Sequence, residues 1–302
     1  MRTTIATILR AAALAGLAAP AAAQALDPNN PADAITISRK MQCSTQDGEA
    51  AVYHWSGRVY SRVPGERDRH LFDVEGMNVR HCATVNDPRR GAGWRMVSRE
   101  VMLYVDPVTR QPLRRWKNPW TGQEVDVVHV ANDPVNGRPN FPTDAEGRPN
   151  KLNVRVQNGR VFYNTEVPLF YENPLGGAFQ TFVGNQYHAM EIFDFMDDAK
   201  SLFDRRSRQS YPAVAWVRIA PWLPFMEMGS RPGLMVTNAM GQKLRSFDEL
   251  PAVLKTEIAT NFPIFRSPPP LDDARPNETS WTYFRKLKEA GQSPPGAVPS
   301  GQ

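Results

Sequence analysis

The sequence has only two cysteines, Cys43 and Cys82, and five histidines, His54, His70, His81, His129 and His188. Neither cysteine has a neighbouring Cys or His partner, which argues against a structural zinc site. The His-Glu-x-x-His and His-x-His spacings are missing, which removes the zinc hydrolases that carry them. There is no Gly-x-Ser-x-Gly, so the serine-hydrolase elbow is missing too. No Gly-rich loop joins a strand to a helix, so no nucleotide cofactor is expected. Lysine is scarce: most of the 36 basic residues are Arg. Arg clusters occur at Arg58, Arg62, Arg67 and Arg69, and at Arg89, Arg90, Arg95 and Arg99, but acids interrupt them, as in Glu66-Arg67-Asp68-Arg69. Without a continuous basic stripe or a nucleic-acid motif, nucleic acid is not an expected partner. The clusters read as a solvated mixed-charge surface. The alternative is an anionic or carboxylate-bearing ligand held by one or two of these Arg.

Long apolar runs are confined to the start of the chain. Arg2 and Arg10 precede a stretch, Ala11 to Ala25, made almost entirely of Ala, Leu and Gly and ending Ala21-Ala22-Ala23-Gln24-Ala25. That is the layout of a secretory signal peptide over residues 1–25, and the run falls short of the ~20 residues a membrane span needs. No Arg-Arg pair precedes it and no Cys sits at its end, so the general export route is expected, without a lipid anchor. The mature chain would start near Gln24 or Leu26, in the periplasm or outside the cell, with no membrane span. An oxidising compartment permits a Cys43–Cys82 disulfide; two buried free thiols are the alternative.

The rest of the chain has ordinary globular usage, 41% hydrophobic and 22% charged. Proline is high at 27 residues, which argues against a long helical bundle. Period-2 alternation predicts strands over 53–63, 70–85, 94–105, 113–117, 125–131, 152–157, 161–170, 187–195 and 214–219. Asn158-Gly159 is a strong hairpin signal, and a further hairpin is expected around Met240-Gly241. Several strands carry polar residues on both faces; along Leu71 to Arg80 neither face is uniformly apolar. A dry sandwich strand has one apolar face, whereas strands around a ligand cavity can turn chosen polar groups inward. The fold expected is mainly β: an antiparallel β-barrel-like meander with an internal cavity and a few short C-terminal helices. Ser246-Phe247-Asp248-Glu249 reads as a capping box opening a helix, Trp281, Phe284 and Leu287 mark a second, and residues 196–206 a short one. The expected organisation is a single domain over 26–288 and a disordered tail over 289–302.

Several segments resemble one known family. They are Tyr60-Ser61-Arg62-Val63-Pro64-Gly65-Glu66, Leu71-Phe72-Asp73-Val74-Glu75-Gly76-Met77-Asn78, Ser98-Arg99-Glu100, Asn118-Pro119-Trp120-Thr121-Gly122, Val128-His129-Val130-Ala131-Asn132-Asp133-Pro134-Val135-Asn136 and Pro221-Trp222-Leu223-Pro224-Phe225-Met226-Glu227-Met228-Gly229. The chain is similar, over most of residues 30–265, to domain-of-unknown-function family 1838, a bacterial and fungal family. The resemblance implies one domain. It brings no catalytic set with it.

Candidate chemistry therefore comes from residue types. His129 ends an apolar stretch shortly before Asp133, and a His in an apolar cavity near a carboxylate can serve as general base; the alternative is a structural His bonded to backbone. Glu100 shares a strand face with Met96, Ser98, Met102 and Tyr104, where its pKa would rise and fit it for acid–base work; the alternative is an ion pair with an Arg. Glu75, Asn78 and Arg80 are weaker candidates. His188, which alternates with Met190 and Ile192, is a further ligand-binding candidate; a His129–His188 metal site with a carboxylate is conceivable, though no metal is assigned. Trp120, Trp222 and Met228 sit in Pro-punctuated loops suited to a planar or lipophilic ligand; the alternative is that they plug the end of the barrel as core. Asn118, Asn132 and Arg99 would orient it or stabilise developing negative charge. Two functions remain in view: a hydrolase, isomerase or lyase using His and carboxylate without a cofactor on a small, largely apolar molecule, or a non-catalytic carrier of such a molecule.

Overall fold

Alternating side chains and two tight glycine contacts build the centre of the molecule. In a computed structural model, residues 25–297 are described; the expected signal peptide lies almost wholly outside them, as do the last residues of the tail. Strands β1 (Ala51–Arg62), β2 (His70–Asp87) and β3 (Gly91–Val105) form one antiparallel meander. A second runs through β7 (Arg155–Gln157), β8 (Arg160–Glu172), β9 (Gln186–Asp198), β10 (Ala213–Ala220) and β11 (Leu234–Leu244). The β1–β11 ladder joins them, and β6 (Val130–Asn132) adds to β3, giving one sheet in the order β6-β3-β2-β1-β11-β10-β9-β8-β7. The pair β4 (Arg115–Lys117) and β5 (Glu124–Asp126) stands apart as a small ribbon. The fold is thus mainly β, with a large antiparallel sheet and few helices. Among the described residues no ladder joins β6 to β7, so the hydrogen bonding does not close a barrel.

Asn158 and Gly159 both have positive φ and link β7 to β8 as a two-residue hairpin loop. The hairpin expected around Met240-Gly241 is absent: β11 runs unbroken through both residues. The glycine serves close approach instead. A Cβ at Gly241 would lie 1.9 Å from the His54 carbonyl oxygen, and one at Gly57 would lie 2.2 Å from the Asn238 carbonyl oxygen. Glycine inside a strand marks such contacts.

The helix expected from Ser246 is also corrected. Residues 247–249 make only a short 3-10 turn, Ser246 makes no side-chain cap bond, and helix α3 (Ala252–Asn261) begins after Pro251. Pro251 lacks the N–H that a helix interior needs, so the chain restarts there. The early helix α1 (Pro31–Gln42) was not foreseen, although Asn30 caps it through its side chain and Pro31 takes the first turn, a standard start signal. Helix α2 (Ala199–Phe203) is shorter than the expected stretch, whose first residues belong to β9. Helix α4 (Ser280–Glu289) carries Trp281, Phe284 and Leu287 on its buried side.

On one half of the sheet both faces are covered. The convex side of β2 and β3 buries Met77, Val79, Val101 and Leu103 against Leu254, Ile258, Phe262 and Phe265. This accounts for the polar residues on both faces of β2. Asp73 and Glu75 lie on the convex side, where they meet His70 at 2.7 Å, His54 at 2.9 Å and Arg110. Helix α1 packs through Ile37 and Met41 onto Tyr53, Phe195 and Val214. Lys40 holds it there by donating to the carbonyls of Ser201, Leu202 and Asp204 at 3.0, 2.6 and 2.7 Å. Cys43 and Cys82 form a disulfide, with Cα atoms 5.8 Å apart. It ties the end of α1 to β2.

Candidate ligand-binding cavity

The concave face surrounds a cavity of about 500 Å³. Its wall takes inward side chains from both halves of the sheet, which a flat sheet could not bring together. Tyr53, Trp55, Asn78, Arg80, Glu100, Met102, Tyr104 and Asn132 come from one half. Val167, Tyr187, Glu191, Phe193, Trp216 and Arg218 come from the other. Gln42 of α1 and Trp281 of α4 also line it. The lining is chiefly aromatic and aliphatic, with a small charged cluster, the usual composition of a small-molecule pocket.

The cluster is ordered by strand register. Glu100 stands opposite Asn78 on β2 and opposite Asn132 on β6. The Asn132 amide donates to Glu100 Oε1 at 2.7 Å. Burial, reinforced by Glu191, pushes the Glu100 carboxyl above its usual range. On the opposite wall Arg218 donates to Glu191 Oε1 at 2.8 Å and to the Tyr187 hydroxyl at 2.7 Å. Arg80 donates to Asn78 Oδ1 at 2.7 Å and Gln42 Oε1 at 2.6 Å, and lies 4.5 Å from the Tyr53 ring centre. Burial lowers the Arg80 pKa. The buried Asn132 Oδ1 and the indole N–H groups of Trp55 and Trp216 have no hydrogen-bond partner.

Of the residues singled out from the sequence, the structure brings Glu100 and Asn132 together in this cavity with the weaker candidates Asn78 and Arg80, and places the others elsewhere. His129 is 3% exposed and does not line it. Its Nδ1 accepts from the Tyr104 backbone N–H at 3.1 Å, and burial lowers its pKa to about 4. Alternation along this segment explains the displacement: Val130 and Asn132 face inward, so His129 and Ala131, on either side of Val130, point away. Asp133 binds Arg99 at 2.6 Å and Arg275 at 3.0 Å. Arg99 also donates to the carbonyls of Ile264 and Ser267, so this pair pins the segment after α3.

Asn118 is a loop clamp. Its Nδ2 donates to the Met226 carbonyl, with the Met228 sulfur at 3.2 Å, and its Oδ1 accepts from the backbone of Trp120 and Thr121. Trp120 packs against Trp222 and donates to Glu66 Oε2 at 2.9 Å. Trp222 is fully buried and donates to the Arg231 carbonyl; its neighbours Pro221 and Leu223 line the cavity. Met228 is buried in the same cluster. His188 is exposed on the outer sheet face beside Phe170. The imagined His129–His188 pair is therefore split between a buried convex site and an outer surface. Among the described residues no group of three or more His, Cys, Asp or Glu is placed to hold a metal.

Arg80 and Asn78, weaker candidates by sequence, line the cavity beside Glu191, Arg218 and Tyr187, which no motif marks. The missed signal was parity. Tyr187, Glu191, Phe193 and Phe195 share the cavity face of β9, and His188 lies on the other.

A family model described as "Protein of unknown function (DUF1838)" matches residues 48–288. The chain belongs to this family. The DUF1838 match runs from before β1 into α4, so it contains the cavity wall except Gln42. No curated protein matches the chain. Among solved structures it is similar to Ail, the attachment invasion locus protein of Yersinia pestis, with 5% identity, covering 66% of this chain and 98% of that one at a TM-score of 0.21. So low a score does not establish a common fold. Among the described residues no helix is long and apolar enough to cross a membrane.

Proposed function

We propose that this DUF1838 protein is exported and binds a small molecule with a largely apolar body and a polar head in the barrel-like hollow of its sheet. One observation carries the reading: Arg80, Glu100, Glu191 and Arg218 all face a cavity of about 500 Å³ that the protein's own side chains leave unfilled. Charged groups removed from water cost several kcal/mol each unless they are bonded. Even bonded as they are, charged side chains gathered round one apolar hollow stabilise a sheet poorly and serve better to orient a ligand. The Cys43–Cys82 disulfide agrees with export.

Non-catalytic binding is favoured over turnover, because none of the five histidines lines the cavity. The second reading is an acid–base enzyme, and Glu100 supports it. One of its oxygens is held by Asn132, and its raised pKa suits proton exchange. Titration with the dye phenylnaphthylamine tests the shared premise. It fluoresces on entering an apolar site. Wild type should bind it, and the cavity-filling variant Val167→Trp, checked for folding by circular dichroism, should not. Equal binding by both would sink the reading.

A further inference from the structure

Arg80 and Glu100 face the same cavity and do not pair with each other. Because Glu100 stands opposite Asn78, it is the diagonal neighbour of Arg80 on the same sheet face. Such neighbours lie roughly 7–8 Å apart, within reach of side chains this long. Yet Arg80 commits its Nε and Nη1 to the neutral acceptors Asn78 and Gln42, and Glu100 accepts from the neutral amide of Asn132. The other cavity charges have partners: Glu191 with Arg218, and Glu278 with Lys286. What remains is a guanidinium edge, one carboxyl oxygen, and the unpartnered Asn132 Oδ1.

We propose that Arg80 and Glu100 together receive the carboxyl group of an amphipathic monocarboxylic acid whose apolar body lies along the aromatic wall. This rests on the cavity-binding reading above and names its ligand class. One ligand oxygen accepts from Arg80. A single proton lies between the ligand carboxyl and Glu100, and whichever group carries it donates to the other. A carboxylate entering beside an ionised Glu100 therefore takes up one proton from solvent. The complex then holds one negative charge opposite the Arg80 cation. The upward shift of the Glu100 pKa, caused by burial and Glu191, favours this proton-sharing state. The other titratable groups around it are Tyr53 on β1, Tyr104 on β3, Tyr171 on β8, Tyr187 and Glu191 on β9, Arg218 on β10 and Glu278 beside α4.

The test is displacement of bound phenylnaphthylamine by dodecanoate, dodecanol and dodecanamide, which share a chain and differ in the head. Dodecanoate should displace the dye at a concentration about tenfold or more below the other two, as a charge-assisted bond predicts. Its advantage should shrink as pH rises from about 6 to about 8, while the neutral probes stay constant. In Arg80→Gln the advantage should fall to within about twofold with dye binding retained. The wild-type series and its pH dependence stand even if that variant fails to fold. Equal displacement by dodecanol or dodecanamide, or a flat pH profile for dodecanoate, overturns this proposal alone. Failure of wild type to bind the dye overturns the cavity reading and this proposal with it.

Discussion

Glu100 and Asn132 face each other across the β3–β6 ladder, and the Asn132 amide donates to Glu100 Oε1 at 2.7 Å. That bond favours the charged carboxylate, but burial and the nearby Glu191 oppose it and win, so the folded pKa is raised. The sign of the stability effect follows. Below the ordinary carboxylate pKa both folded and unfolded chains hold the proton, and nothing is lost. As pH rises the unfolded chain ionises first, and the folded state loses stability until Glu100 ionises too.

Glu100→Gln removes that loss and keeps an oxygen for Asn132. Its melting temperature should match wild type near pH 4 and exceed it at pH 7. Thermal unfolding at both pH values measures it. A lower melting temperature at pH 7 would mean that the ionised form is the one the fold requires.

His129 behaves in the opposite sense. Its pKa falls from the ordinary 6.5 to about 4 on burial, with Glu257 raising it slightly and Arg114 lowering it. Above about pH 6.5 the imidazole is neutral in both states and the stability is complete. As pH drops toward 4 the unfolded chain gains a proton that the folded chain refuses. The cost approaches about 3 kcal/mol, at roughly 1.4 kcal/mol per pKa unit. His129→Gln lacks this titration. Urea unfolding at pH 7 and pH 4 should show wild type losing more than the variant by about that amount; parallel losses would show His129 to be protonated in the fold.

The strands were legible because their alternation is a local property, and so was the placement of Glu100 on an inward face. Which face is inward was not legible strand by strand. In β9 the sequence offers Glu191 or His188, and only the pairing of β9 with β10, which sets Glu191 beside Arg218, decides between them. Trp222, Asn118 and Arg99 misled for a related reason. They look like ligand-binding groups, but each donates to a backbone carbonyl of another segment, nine residues on for Trp222 and more than a hundred away for Asn118 and Arg99. No local pattern records such contacts. Gly241 resembles a turn residue by sequence because glycine in a strand and glycine in a hairpin look alike until the neighbouring strand is known.

That neighbour makes Gly241 one of the least replaceable positions. A methyl group there would meet the His54 carbonyl oxygen at 1.9 Å and the Trp55 Cα at 2.7 Å, both backbone atoms. Relief requires parting β11 from β1, the ladder that joins the two meanders. Gly241→Ala should cost about 3 kcal/mol or more, the upper range for overpacking. Gly137→Ala, whose Cβ would meet nothing nearer than 3.4 Å, is the control and should be close to neutral. Chemical denaturation of both distinguishes a local clash from a general intolerance of added methyls.

The Cys43–Cys82 disulfide closes a loop with a sequence separation of 39. In the chain-entropy model such a loop contributes about 4 kcal/mol. Its position ties that stability to the cavity. Cys43 follows Gln42, which accepts from Arg80, and Arg80 lies two residues before Cys82 on β2. Replacing both cysteines by alanine should therefore lower stability by a few kcal/mol and also loosen the Gln42–Arg80 bond. Two measurements separate these effects. Urea unfolding reads the first. The second is the preference for dodecanoate over dodecanol in dye displacement, taken at a temperature where the variant is still folded. A variant that loses stability but keeps the full preference would show that α1 holds Gln42 in place without the disulfide, through Lys40 and its contacts with α2.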